Sequence, residues 1–226
     1  NQTQELLSRA EQALFHSRKT HVPYVIYDSS LLNETTRRKH LASDMVMALE
    51  HNALELYYQP IVNLESGRCE AVEALLRWRH PELGFIPPNE VIQVAEEFQL
   101  AEKLGSWVLN TACEQLHQWQ HLGLVDLQMC VNISPGMYQR NLLKLVAKAL
   151  MEHHIPASCL VLEVTEDTTM REVKNSLQLM QDLSQQGVHL ALDDFGTGYS
   201  SLSYLQKLPV SKVKIDRSFI QGIDTS

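Results

Sequence analysis

From Leu127 to Ile215 the chain alternates short apolar runs with helical patterns, and every run meets a polar or charged residue near its end. Leu127 to Ile133 carries Asn132, and Leu160 to Val164 carries Glu163. Val188 to Leu192 stops at Asp193 and Asp194, and Lys212 to Ile215 carries Lys214. Helical stretches at Tyr138 to His153, Met170 to Gln186 and Ser201 to Lys207 lie between them. Runs that are apolar on both faces and separated by helices build a mostly parallel sheet covered by helices. One strand per roughly 25–35 residues suits a (β/α) barrel or a doubly wound sheet. No GxGxxG or P-loop sequence occurs, which disfavours the nucleotide-binding open sheets. The expectation is an α/β fold of the (β/α) TIM-barrel type.

Upstream, Leu56 to Val62 and Cys69 to Trp78 flank a turn at Asn63 to Arg68 and read as a hairpin. A long connection from His80 to Asn89, with Pro81, Gly84, Pro87 and Pro88, leads into helical patterns at Glu90 to Phe98 and Ala101 to His121. The chain opens with a helical pattern at Gln4 to Arg18, a short predicted strand at Tyr24 to Tyr27, and a second helical segment at Thr35 to Glu50. A helix and one strand make no domain of their own. The expected division is therefore an opening segment at 1–30, a linker helix at 31–50 and the main domain at 51–226.

The net charge of −8 argues against a broad surface for a nucleic-acid polymer, while leaving room for a phosphate ligand whose charge is offset by cations. Cys69, Cys113, Cys130 and Cys159 are widely spaced and form no CxxC pair, so they read as reduced, mostly core cysteines in a cytosolic environment.

The strand ends hold the candidate chemistry. Charged or amide side chains in apolar strands are costly unless paired or metal-bound. Asn132, Glu163, Asp193 and Lys214 near the C-terminal ends of successive parallel strands converge on one mouth, where barrel enzymes keep their active sites. Glu73, Leu75 and Arg77 share one face of their strand, so a carboxylate and a guanidinium point into the same space. Taken alone, Glu73 and Arg77 read as an intramolecular ion pair, and Asp193-Asp194 reads equally as a solvated turn. Taken together, carboxylates and an amide without Cys or His favour Mg²⁺ or Mn²⁺ over zinc. Asp193 bridging two cations, with Asp194 beside it, suits a two-metal hydrolase acting on a phosphodiester. Lys214 is then placed to hold the attacking water or to screen developing charge.

Glu73-Ala74-Leu75-Leu76-Arg77-Trp78-Arg79-His80-Pro81 resembles the signature of the EAL-domain cyclic di-GMP phosphodiesterases. The likeness continues in order through Tyr58-Gln59-Pro60-Ile61-Val62, Val131-Asn132-Ile133-Ser134-Pro135, Leu162-Glu163-Val164-Thr165-Glu166, the stretch from Asp193 to Leu202, and Lys214-Ile215-Asp216-Arg217-Ser218-Phe219. It covers roughly Leu54 onwards. The resemblance implies a barrel fold and Mg²⁺- or Mn²⁺-dependent hydrolysis of cyclic di-GMP to linear pGpG. It makes Glu73, Asn132, Glu163, Asp193 and Asp194 metal ligands and places Lys214 on water or phosphate. Gln59 and Arg77 grip the ligand, Arg77 by a phosphate. Glu166 holds the loop from Phe195 to Ser201, which the family also uses in homodimers. The resemblance further implies two more strand–helix units with a catalytic Glu in an AEGVE-like motif and a late Gln, neither of which has a counterpart up to Ser226. The expected barrel is thus incomplete at its C-terminus, within a longer protein. The opening residues, through Ala10-Glu11-Gln12-Ala13-Leu14 and Val25-Ile26-Tyr27-Asp28, resemble the tail of a GGDEF domain, which implies upstream GGDEF or sensor domains in the same chain and a cytoplasmic location for this part of it.

The competing reading is a domain that senses cyclic di-GMP without hydrolysing it. Several residues read as structural. Thr168 and Thr169 mark a helix start, Met170, Leu177, Met180 and Leu183 form a buried helix stripe, and His189 reads as a satisfied core or bottom-face histidine. His153 and His154 read as cations at a helix C-terminus rather than a metal site.

Overall fold

The computed structural model describes residues 2–20, 22–51, 53–139, 141–171, 173–196 and 205–220. By compactness the chain falls into two units, Asn1–Glu50 and His51–Ser226.

The first unit contains helices α1 (Gln2–Thr20) and α2 (Ser29–Glu50). Both are longer than the expected helices. On α2, Leu41, Met45 and Ala48 recur at helical spacing and are buried. The expected strand at Tyr24 to Tyr27 is absent: the segment has no strand assignment, and Tyr24 and Ile26 are exposed. A β-branched and aromatic composition favours extended backbone, but a strand also needs a partner for its ladder. Tyr27 instead lies under the guanidinium of Arg9, whose Cζ is 5.3 Å from the ring centroid.

The second unit is built on one sheet. Strands β1 (Leu54–Val62) and β2 (Cys69–His80) form the expected antiparallel hairpin. The connection after β2 contains a short strand missed in the sequence, β3 (Gly84–Ile86), which folds back onto the end of β2. Helices α3 (Pro88–Glu97) and α4 (Ala101–His121) follow, then β4 (Gln128–Asn132), α5 (Leu142–Glu152), β5 (Leu160–Thr165), α6 (Glu166–Arg171), α7 (Val173–Gln185), β6 (His189–Phe195) and β7 (Lys212–Ile215). α5 begins four residues later than its apolar pattern suggests, because Ser134 to Tyr138 form a turn in which the Met137 and Tyr138 amides both donate to the Ser134 carbonyl. The expected helix at Ser201 to Lys207 lies mostly outside the described residues.

The strand order is β1-β2-β4-β5-β6-β7, with β3 attached to β2 and every pair from β2/β4 onwards parallel. This is a (β/α) barrel left incomplete, since closure takes about eight strands. Period-two alternation divides the side chains between its faces. Val72, Met129, Val131, Leu160, Leu162, Val164, Leu190 and Leu192 point towards the helices and form the main core with Leu109, Leu116, Leu142, Val146, Met180 and Leu183. Each such fully buried side chain stabilises the fold by about 1.5–3 kcal/mol. On the opposite, inner face a small apolar layer of Ala71, Cys130, Val161 and Ala191 closes the sheet interior. The ammonium of Lys212 donates to Gln128 Oε1 at 2.6 Å. The next inner residues along the same strands are Glu73, Asn132, Glu163 and Asp193.

Candidate active site

Two residues beyond the apolar layer, the inner face changes from hydrocarbon to charge. Lys214, the inner-face residue of β7, reaches across to three strands. Its Nζ donates to Glu163 Oε2 at 2.7 Å, to Glu73 Oε2 at 3.1 Å and to Asp193 Oδ2 at 3.1 Å. Asn132 completes the cluster by donating from Nδ2 to Glu73 Oε1 at 2.7 Å. The four strand-end residues expected to converge, Asn132, Glu163, Asp193 and Lys214, therefore do so, and Glu73 of β2 joins them. Asn132 sits directly beside Glu163, while Glu73 pairs with Cys130 and Asp193 with Thr165, so the inner residues step from strand to strand and the long Lys214 side chain spans the steps.

The bland Glu73–Arg77 ion pair does not form. Glu73 is taken by Asn132 and Lys214, whereas Arg77 donates from Nη1 to its neighbour's carbonyl, Leu76 O, at 2.8 Å. Its Cζ also lies 5.5 Å from the centroid of the Tyr57 ring. Gln59 stands directly opposite Glu73 in the β1/β2 register, so both side chains leave the same face. Tyr57 is a residue the sequence reading missed. Its signal was there in the hairpin, where Tyr57 and Gln59 alternate on β1 as Glu73, Leu75 and Arg77 alternate on β2.

The electrostatics follow from three carboxylates around one ammonium, a local charge of −2 (three negative, one positive). Burial disfavours the charged form of Lys214, but the hydrogen bond and charge of Glu163, with Asp193 and Glu73, outweigh it and hold the ammonium well above the usual lysine range. Glu163 is 2% exposed. Burial raises its carboxyl, Lys214 opposes the shift, and Glu73 and Asp193 reinforce it. The Cys130 thiol beneath is pushed up to about 12 by burial first and then by the Glu163 charge.

Carboxylate oxygens of Glu73, Glu163 and Asp193 lie within 4.8 Å of one another. An octahedral Mg²⁺ with oxygens at about 2.0–2.1 Å places opposite ligands about 4.2 Å apart, so modest side-chain adjustments close this set on a hard cation. The donor chemistry fits: the oxygens are anionic, Asn132 adds an amide, and Lys214 shares its carboxylates with whatever cation enters. Asp194 stands outside that set. It is exposed, has a φ of 54°, and its backbone N–H donates to Asp193 Oδ1 at 3.0 Å. Burial, then the charges of Asp193 and Asp216, raise its carboxyl.

Glu166 opens α6 and is 3% exposed. Its Oε2 accepts the backbone N–H of Gly196 at 3.1 Å. Gly196 has a φ of 100°, and a Cβ there would meet the Phe219 ring at 2.6 Å, so glycine is required where the chain leaves β6. Residues 197–201 of the expected loop lie outside the described residues. Thr168 and Thr169 are buried rather than incidental. Thr169 Oγ1 donates to Glu166 O at 2.8 Å, and Thr168 Oγ1 shares a 2.8 Å hydrogen bond with Thr165 Oγ1, which fixes the turn that carries Glu166. Glu166→Gln keeps the shape but weakens the acceptor. We expect about a tenfold loss of turnover with little change in melting temperature, and a larger kinetic loss in Glu166→Ala, checked by steady-state kinetics beside thermal melts.

The EAL domain family profile matches residues 42–226. The bifunctional diguanylate cyclase/cyclic di-GMP phosphodiesterase MucR of Pseudomonas aeruginosa is 41% identical over 221 residues, which cover 97% of this chain and 32% of MucR. The cyclic di-GMP phosphodiesterase NbdA of the same organism is 38% identical over 229 residues, covering 100% of this chain and 29% of NbdA. The chain thus spans about a third of the length of these curated relatives. Among solved structures, the PaMucR phosphodiesterase in complex with c-di-GMP superposes with a TM-score of 0.78 at 44% identity, covering 83% of this chain and 76% of that one. The FimX EAL domain from Pseudomonas aeruginosa bound to c-di-GMP does so with a TM-score of 0.73 at 29% identity, covering 82% and 74%.

Proposed function

The chain belongs to the EAL domain family, and from that premise we propose that it carries the metal-binding face of a phosphodiesterase that opens cyclic di-GMP to linear pGpG. The observation that supports this most is the convergence of Glu73, Asn132, Glu163, Asp193 and Lys214 from five strands on one point. Buried carboxylates packed this closely are a cost to the fold, and the cost has a purpose if they hold cations.

Glu73, Asn132, Glu163 and Asp193 would hold a first Mg²⁺ or Mn²⁺, and Asp193 with Asp194 a second; bound there, the cations would offset the phosphodiester charge and lower the proton affinity of water. Lys214 keeps one positive charge at the centre of the cluster throughout the cycle and orients the water by hydrogen bonding. In hydrolysis the water oxygen joins phosphorus, one ring P–O bond breaks, and the proton ends on the departing ribose oxygen. Arg77, parked over Tyr57, turns to a phosphate oxygen that a bidentate guanidinium matches in geometry. Gln59, facing Glu73, adds a polar contact. Glu166 fixes the start of the loop at Gly196. Arg77→Ala is expected to raise KM about tenfold or more while kcat falls less, since it removes a grip on the ligand rather than a group at the reacting water.

The same reading makes the domain a cytoplasmic one that works as a homodimer under upstream GGDEF or sensor domains. Residues 1–30 are then the end of a GGDEF-like domain, and 31–50 the linker helix. No helix among the described residues is long and apolar enough to cross a membrane.

The test is cyclic di-GMP turnover with Mg²⁺ and with Mn²⁺, measured on residues 1–226 and on the full-length protein, beside equilibrium binding of the same ligand. Metal-dependent pGpG release in the full-length protein is the expected result. Binding without release in both would establish the sensor instead.

A further inference from the structure

The inner face of the β1/β2 hairpin carries more side chains than the metal cluster uses. Ile61 lies opposite Ala71, Gln59 opposite Glu73, Tyr57 opposite Leu75, and Glu55 opposite Arg77. Each pair stands two residues beyond the last, a step of about 7 Å along the strands. Tyr57 is therefore one step from the Glu73 carboxylate, on the side of the mouth. Its ring is unusual there, because the residue is 47% exposed. Tyr58, on the opposite face, packs against the main core and meets Trp119 edge-on, with centroids 4.8 Å apart and planes at 74°. The core thus accounts for Tyr58 and does not account for Tyr57. Over the Tyr57 ring lies the Arg77 guanidinium, its Cζ 5.5 Å from the centroid. Glu55 faces Arg77 across the ladder, yet the guanidinium stays by the ring and donates from Nη1 to Leu76 O at 2.8 Å.

We propose that Tyr57 is a stacking platform for one nucleobase of the cyclic dinucleotide, a substrate-binding subsite beside the metal cluster. The inference rests on the functional reading above, which supplies a ligand with two phosphates and two bases. Three features point to this role. The first is position. A base hangs from its phosphate through a single ribose, so a phosphate held between the cluster and Arg77 brings its base to the neighbouring step of the hairpin. The second is chemistry. Every nucleobase has a π-face, and aromatic side chains are the usual surface on which proteins lay unpaired bases. Leu75, directly opposite Tyr57, extends that apolar surface across the hairpin. The third is the placement of Arg77, whose two positions exclude each other. A guanidinium over the ring is not on a phosphate, and at an exposed site the cation–π contact that holds it is weak. When Arg77 moves to the phosphate it uncovers the ring face that the base then takes. Stacking is tolerant of base identity, so Tyr57 adds affinity for purine cyclic dinucleotides without itself choosing guanine over adenine.

The experiment compares the full-length wild type with Tyr57→Phe, which keeps the ring, and Tyr57→Leu, which keeps an apolar side chain without it. Turnover of cyclic di-GMP with Mg²⁺ is measured beside binding of a cyclic dinucleotide in which 2-aminopurine replaces one guanine, a base whose fluorescence is quenched on stacking. Tyr57→Leu should raise KM and weaken the analogue about tenfold, with a smaller fall in kcat and with the quench lost. Tyr57→Phe should recover KM, affinity and quench together. Melting temperatures equal to that of the wild type would show that both variants are folded. A wild-type KM in Tyr57→Leu, a quench that survives in it, or a deficit equally large in Tyr57→Phe would overturn the stacking role. Absence of any quench in the wild type, which needs no variant to fold, would overturn it as well. A wild type that neither binds nor hydrolyses cyclic di-GMP would instead overturn the functional reading, and the role of Tyr57 with it. Binding without hydrolysis would overturn only the enzyme, and the analogue titration would then decide Tyr57 alone.

Discussion

Lys214→Ala is expected to cost the metal-free protein about 3 kcal/mol and to make its stability strongly dependent on Mg²⁺. In the wild type one ammonium faces three carboxylates, and it is 31% exposed while Glu163 is 2% exposed. Breaking a buried ion pair by removing one partner costs about 3–5 kcal/mol, because the remaining charge is left uncompensated. The partial exposure of Lys214 puts this case at the lower end. For a domain of this size the melting temperature should fall by roughly 6–12 °C. A divalent cation replaces the lost charge, so millimolar Mg²⁺ should restore more of the melting temperature in the variant than it adds to the wild type. Turnover with metal present should still fall about 10²–10³-fold, because the cations cannot also supply the hydrogen bond that orients the water. Thermal melts with and without Mg²⁺, beside turnover, check both halves. A metal-free variant as stable as the wild type would mean that Lys214 is not the counter-ion of this cluster.

That counter-ion role also shows what a sequence carries and what it withholds. The alternation of apolar runs and helices fixed the layers of the main unit. Period two then put Glu73, Asn132, Glu163, Asp193 and Lys214 on the inner face of the sheet, although the ladders are staggered, with Glu73 beside Cys130 and Asp193 beside Thr165. Who pairs with whom was not readable, since that depends on distances across the sheet. Glu73 and Arg77 are two apart on one strand and looked like partners. Lys214, 141 residues from Glu73, proved the stronger claimant. β3 was hidden because Gly84-Phe85-Ile86 is too short for a periodic signal. The strand expected at Tyr24 to Tyr27 failed for the opposite reason, having the composition of a strand and no ladder to join.

Glu163→Gln is expected to separate folding from chemistry most cleanly. The amide has the shape of the carboxylate, and it lacks the negative charge that burial, Glu73 and Asp193 all penalise. The substitution weakens one Lys214 hydrogen bond but relieves a desolvated charge, so the metal-free variant should be about as stable as the wild type at neutral pH. The difference between the two should move with pH. A carboxyl raised in the folded state holds its proton more tightly there than in the unfolded chain. The Glu163 contribution therefore declines as pH rises from the unfolded value of about 4.3 through the raised folded value. A side chain that does not titrate has no such decline, so the variant gains on the wild type across that window. Denaturant melts of both proteins from pH 4 upwards measure this difference directly. Turnover should fall by about 10³-fold or more, because a neutral amide is a poor ligand for Mg²⁺ and leaves the cluster one charge short. Binding of cyclic di-GMP through Arg77 and Gln59 should survive in part. A folded variant that binds and does not turn over is the outcome expected of an enzyme. A variant with full turnover would remove Glu163 from the ligand set, and with it the reason for burying a carboxylate so completely in this sheet.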